Sequence, residues 1–188
     1  LAWRFADREE IANYPSAGET IIAFGDSLTA GEGVATDTYA AALSDRLGIP
    51  VVNAGVSGDT TADALARLTQ VLAEYPRPKL AIVMLGGNDF LQRRPKEETA
   101  QNLGRIIEQF QAKGAMGVLV GVRGGIFTDA FAPEYERLRR EYRTAYVPNI
   151  LEGILGDPRL RVDAIHPNAA GHRKMAGRLE PVIRSLLR

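Results

Sequence analysis

Cysteine is absent from this chain of 188 residues, which excludes disulfides, thiolate metal sites and a cysteine nucleophile. Net charge is absent too. The 23 basic residues are balanced by 23 acidic ones, so no long-range field draws in nucleic acid or an anionic membrane. No apolar run approaches the length that spans a bilayer. Histidine is scarce, so imidazole chemistry falls to His166 or His172. Internal repeats and low-complexity segments are missing. No phosphate-loop lysine and no G-x-G-x-x-G pattern follows the first apolar run, which argues against a nucleotide-binding sheet. The first residue is not methionine. Leu1-Ala2-Trp3-Arg4-Phe5 reads as the tail of a removed leader or anchor, followed by a linker through Gly18. Residues 1–19 are expected as an extension and 20–188 as one domain with a sizeable core.

What is present is an alternation of apolar runs and amphipathic stretches. Runs suited to buried strands occur at Thr20 to Phe24, Pro50 to Ala54, Leu80 to Leu85 and Met116 to Val122, with a weaker one at Tyr146 to Leu151. Between them lie helical stripes: Leu65, Leu68, Val71, Leu72 and Tyr75; Ala100, Leu103, Ile106, Ile107 and Phe110; Tyr135, Leu138, Tyr142 and Tyr146. A last helix runs from an Asn168 cap to the end, with Met175, Leu179, Val182, Ile183 and Leu186 inward and a kink expected at Pro181. Alternating strand and helix implies an α/β domain of three layers, with a five-stranded parallel sheet in the flavodoxin-like order 2-1-3-4-5.

Ligands of such sheets bind beyond the carboxyl ends of the strands, at the switch point beside strand 1. Gly25-Asp26-Ser27-Leu28 falls there, flanked by Ser57-Gly58-Asp59 after strand 2 and Gly86-Gly87-Asn88-Asp89 after strand 3. The segment Asp163-Ala164-Ile165-His166-Pro167-Asn168 opens the last helix, whose start lies at the same edge. A serine hydroxyl is a weak nucleophile until a base takes its proton. His166 is the candidate base for Ser27, and Asp163 the carboxylate that orients its ring. A tetrahedral intermediate needs preorganised donors for its oxyanion. The N–H groups of Ser27 and Gly58 and the amide of Asn88 are the candidates.

These four segments resemble the motif blocks of the SGNH hydrolases, the GDSL esterases and lipases. The likeness lies in Phe24-Gly25-Asp26-Ser27-Leu28-Thr29-Ala30-Gly31, Asn53-Ala54-Gly55-Val56-Ser57-Gly58-Asp59-Thr60, Leu85-Gly86-Gly87-Asn88-Asp89 and the Asp163–His166 segment. It covers residues 20 to 187 in the family's order, and is nearest to bacterial arylesterases, acyl-thioesterases and lysophospholipases. The resemblance implies the fold reasoned above, acyl-ester or thioester hydrolysis through an acyl-Ser27 intermediate, a small-molecule substrate, no nucleic-acid partner, and no metal or organic cofactor. One departure is Ala164, where the family usually has glycine.

Specificity is expected from loops at the same edge. Leu28, Phe90, Leu91, Ile126, Phe127 and Ile165 are candidates to line an apolar acyl groove. Arg93 and Arg94 are either a basic rim or a solvated charge pair. His172 is read as a core histidine, Asp26 and Asp89 as acceptors for backbone N–H groups, and Asp59 as the cap of the helix near Thr60. Rival functions are a carbohydrate O-acetylesterase, a non-catalytic binding domain on the same fold and a flavodoxin-like nucleotide binder. The expected compartment is the bacterial periplasm or cell envelope, with the cytoplasm as the alternative.

Overall fold

A computed structural model describes residues 10–123 and 131–188. Five strands form one parallel sheet: β1 (Thr20–Gly25), β2 (Val51–Gly55), β3 (Pro78–Met84), β4 (Met116–Val120) and β5 (Ala145–Val147). Their order is β2-β1-β3-β4-β5, as the alternation of elements implies. Among the described residues, seven α-helices connect and cover them: α1 (Ser27–Ala30), α2 (Tyr39–Leu47), α3 (Thr61–Glu74), α4 (Gly87–Leu91), α5 (Lys96–Ala112), α6 (Ala132–Glu141) and α7 (Ala169–Leu186).

Both sheet faces are buried, so the strands are continuous apolar runs that divide residue by residue between two cores. Ile21, Ala23, Leu80, Ile82 and Val118 face α2 and α7. Ile22, Phe24, Ala81, Val83 and Leu119 face α3, α5 and α6. The α5 stripe is buried at all five expected positions. On α3 the buried apolar residues are Ala64, Leu68 and Leu72, while Leu65, Val71 and Tyr75 sit half-buried at the margin. Asn168 caps α7, its side chain accepting from the N–H groups of Ala170 and Gly171, and the helix continues through Pro181 to Leu186.

Two expectations need correction near the sheet edge. The stripe Tyr135, Leu138, Tyr142 and Tyr146 is not one helix. α6 stops at Glu141, Arg143 takes a left-handed φ of 48°, and Tyr146 lies in β5. The fifth strand is also shorter than its apolar run. Pro148 brings no N–H to the ladder, and Ile150, Leu151, Ile154 and Leu155 instead fold as turns buried in the α2–α7 core.

Residues 10–19 run along the amino ends of the strands, away from the carboxyl edge. Ile11 joins the core, the Ala12 N–H donates to Arg143 O (2.9 Å), and Asn13 Nδ2 donates to Gln111 O (2.8 Å) and Ala115 O (3.0 Å). Among the described residues, no helix is long and apolar enough to cross a membrane.

Candidate active site

The first loop of the site is the tight turn from β1 into α1. Asp26 caps that single helical turn, its carboxyl accepting from Leu28 N–H (3.0 Å), and Gly31 closes it with φ 88°. The turn leaves Ser27 half-buried while Asp26, Leu28 and Thr29 are buried around it. Close packing beneath demands glycine at position 55. A Cβ there would lie 2.2 Å from Ala30 N and 2.6 Å from Thr29 C.

The loop before α7 brings the candidate base. An antiparallel bridge joins Arg161 to Pro167, and Val162 N–H donates to His166 O (2.8 Å), closing a turn over Asp163 to His166. Within it, Asp163 Oδ1 accepts from the N–H groups of Ile165 and His166, both at 2.8 Å. Asp163 Oδ2 faces His166 Nδ1 at 2.8 Å, and His166 Nε2 faces Ser27 Oγ at 3.0 Å. The hydrogen bond with the His166 ring, helped by the two backbone N–H groups, lowers the Asp163 carboxyl to about 2. The carboxylate is therefore an acceptor only, so Nδ1 of a neutral His166 carries the hydrogen and Nε2 turns its lone pair to the Ser27 hydroxyl. An imidazole so held can take the hydroxyl proton and pass it on.

The loops after β2 and β3 carry Gly58 and Asn88. Gly58 has φ 87°, and a Cβ there would meet nothing within 4 Å. The requirement for glycine in the protein itself is thus its left-handed backbone. Asn88 lies in α4 and donates from Nδ2 to Asp59 O (2.9 Å). That amide has two hydrogens, so one remains for another acceptor. Ser57 Oγ donates to Glu32 Oε2 (2.5 Å) and Val56 N–H to Gly25 O (3.0 Å), which ties the β2 loop to the Ser27 turn.

Three buried carboxyls underlie the site. Asp26 is pushed up to about 7, first by desolvation and then by the nearby charges of Asp59 and Asp89. Asp89 accepts from Thr61 N–H (2.9 Å), Thr61 Oγ1 (2.6 Å) and Thr99 Oγ1 (3.3 Å). Asp59 does not cap α3. Thr60 does, in a capping box with Asp63, because its hydroxyl stands one residue nearer the first free N–H groups. Asp59 instead pairs with Arg67 (2.6 Å), a residue the sequence reading passed over because nothing local links them.

Of the residues expected to line a groove, Leu28 is buried in the α2–α7 core, since the one-turn α1 points it inward. Phe90 packs edge-to-face on Phe131, Leu91 is exposed, and Ile165 is half-buried against the core. Ile126 and Phe127 lie outside the described residues. Arg93 and Arg94 are exposed. His172 is a core residue. Its Nδ1 accepts from Tyr39 N–H (3.1 Å), and burial lowers it to about 4.

A family model described as GDSL-like lipase/acylhydrolase matches residues 23–174. Esterase TesA of Pseudomonas aeruginosa is 35% identical over 184 residues, covering 92% of this chain and 91% of that protein. Thioesterase 1/protease 1/lysophospholipase L1 of Escherichia coli K12 is 33% identical, with coverage of 89% and 86%. A crystal structure of TesA superposes with a TM-score of 0.83 at 34% identity, over 89% of this chain and 99% of that one. The chain belongs to the GDSL-like lipase and acylhydrolase family, with the SGNH-hydrolase fold, and is a carboxylic ester hydrolase.

Proposed function

We propose that this enzyme cleaves small acyl esters and thioesters by a two-step transfer through Ser27. The carrying observation is the chain of contacts from Asp163 Oδ2 to His166 Nδ1 (2.8 Å) and from His166 Nε2 to Ser27 Oγ (3.0 Å). His166 takes the hydroxyl proton as Ser27 Oγ attacks the acyl carbon. The N–H groups of Ser27 and Gly58 and the free Asn88 hydrogen receive the oxyanion. Collapse of the intermediate expels the alcohol or thiol, which leaves with the proton held by His166. Water, deprotonated by the same imidazole, then releases the acid and restores Ser27.

The printed activities of the relatives, esterase and thioesterase/lysophospholipase, support an acyl-ester or thioester substrate with an aryl, fatty-acyl or lysophospholipid skeleton. Exposed Leu91 and half-buried Phe90 and Ile165 favour an apolar acyl chain over a carbohydrate acetyl ester. Leu28 has no part in that groove. The test is hydrolysis of p-nitrophenyl esters from acetyl to palmitoyl by wild type and Ser27→Ala. Wild type should turn over with a chain-length optimum above acetyl, and Ser27→Ala should fall by about 10⁴-fold or more, to the level left by binding and the oxyanion donors alone. A folded Ser27→Ala variant as active as wild type would overturn the mechanism. An optimum confined to acetyl would move the substrate to small O-acetyl esters.

A further inference from the structure

The groups proposed to receive the oxyanion sit on three loops that share no covalent neighbour, yet one cation links them. Arg67, on the inner side of α3, donates from Nε to Asp59 Oδ2 (2.6 Å) and from Nη2 to Gly25 O (3.0 Å). Its guanidinium also lies 4.4 Å over the Phe24 ring. Gly25 is two residues before Ser27, and Asp59 directly follows Gly58. The Asp59 carbonyl in turn receives Asn88 Nδ2 (2.9 Å). Each of the three candidate donors is therefore within two residues, or one hydrogen bond, of a group that Arg67 grips. The same helix fixes the neighbour of Asn88, because Thr61 binds the Asp89 carboxylate through both N–H and Oγ1.

Charge explains why the grip must be cationic. Asp59 is 8% exposed, with the buried carboxyls of Asp26 and Asp89 close enough to interact electrostatically around Asp26. Unpaired, the Asp59 carboxylate is driven toward water, and the loop that carries Gly58 and the Asn88 acceptor moves with it. The planar fork of arginine serves two acceptors at once, one at the end of β1 and one in the loop after β2, and lysine offers only a point charge.

We infer that Arg67 is a positioning residue for the oxyanion donors, acting through Asp59 and Gly25. The inference rests on the roles proposed above for Ser27, Gly58 and Asn88. Its effect falls on the transition state, because displacing a donor by a fraction of an ångström leaves ground-state binding of an acyl chain intact.

The experiment compares wild type, Arg67→Lys and the charge-neutral pair Arg67→Met/Asp59→Asn, which leaves no unpaired buried carboxylate at position 59. Saturation kinetics on p-nitrophenyl butyrate give kcat and KM. The rate of inactivation by a p-nitrophenyl phosphonate, whose phosphoryl oxygen occupies the oxyanion position, is measured in parallel. The double variant should lose about 10²-fold in kcat and in inactivation rate, the scale of a misplaced or missing donor, with KM unchanged. Arg67→Lys should lose about 10-fold, since it keeps the charge without the fork. The midpoint of the acidic limb of kcat/KM should not move, as the His166–Asp163 contacts are untouched. Variants folded by thermal melting that keep kcat near wild type overturn the inference, as does a loss carried by KM or a displaced acidic limb. Should the double variant not fold, Arg67→Lys alone decides. A Ser27→Ala control that remains active would refute the nucleophile itself, a result distinguishable from any outcome at Arg67.

Discussion

Replacing Asp163 by asparagine tests the hydrogen-bond logic of the site more sharply than deleting the side chain. Asp163 Oδ1 holds two backbone N–H groups, and the amide oxygen of asparagine would inherit them. The new NH₂ group then faces His166 Nδ1, 2.8 Å away in the native geometry. Two donors cannot face each other, so the imidazole moves its hydrogen to Nε2. That hydrogen points at Ser27 Oγ, at 3.0 Å, and no lone pair remains to receive the serine proton. A wrong tautomer of this kind costs about 10⁴ in kcat, or about 5–6 kcal/mol of barrier. Asp163→Ala removes the anchor without supplying a wrong donor. The native side chain is 52% exposed, so water can enter and accept from Nδ1. Its loss should be smaller, about 10²–10³-fold. The expected order of activity is therefore wild type, then alanine, then asparagine. The assay is kcat on p-nitrophenyl butyrate, normalised to sites titrated with a phosphonate. An asparagine variant faster than the alanine variant would refute the tautomer argument. Because the native carboxyl is held at about 2, it stays ionised throughout the working range.

Three further outcomes follow from the buried groups and the packing. Asp26 is raised from 3.8 to about 7, so the native state holds a proton that the unfolded chain has lost, and stability falls as pH rises through that window. Asp26→Asn should exceed wild type in thermal midpoint by several degrees at pH 8 and by clearly less at pH 5; a difference that does not grow with pH would refute the burial argument. His172 is lowered from 6.5 to about 4, so there the unfolded chain takes up the proton first and stability falls as pH drops through the window. His172→Asn, which keeps an acceptor for Tyr39 N–H, should flatten the loss of thermal midpoint between pH 7 and 4.5, and parallel curves would count against it. Gly55→Ala should destabilise by about 1–3 kcal/mol and slow catalysis, since its Cβ collides with the backbone of the Ser27 turn. Gly156→Ala, whose Cβ meets nothing and whose backbone is not left-handed, should cost less in a denaturant midpoint and leave kcat unchanged.

Much of the fold was legible because burial on both faces writes itself as short apolar runs. β1 to β4 fall within two residues of the runs that announce them. The failures have local causes. Tyr146 continues the α6 stripe by spacing, but the chain reverses at Arg143 and Tyr146 enters the sheet. The apolar run from Tyr146 to Leu151 resembles strand, but beyond Pro148 the chain forms turns that bury Ile150, Leu151, Ile154 and Leu155. In the site, Ser27, Asp163 and His166 could be named because the motif blocks carry them. Leu28 was misjudged because its inward direction depends on a helix only one turn long. Arg67 looked like one more polar residue on an amphipathic helix.

The sequence by itself determined the alternation of elements, the order of the sheet and which residues are candidates for the chemistry. These follow from period, from turn residues and from the few side chains able to act as nucleophile, base and acid. Only the tertiary structure decided which of them meet. Ser27 and His166 are 139 residues apart and touch because β1 and the start of α7 end at one edge of one sheet. The pairing of Arg67 with Asp59, the burial of Leu28 and the raised Asp26 carboxyl were likewise decided there. Contact distance and desolvation depend on how remote segments pack, and a linear pattern carries propensity and period but not that separation.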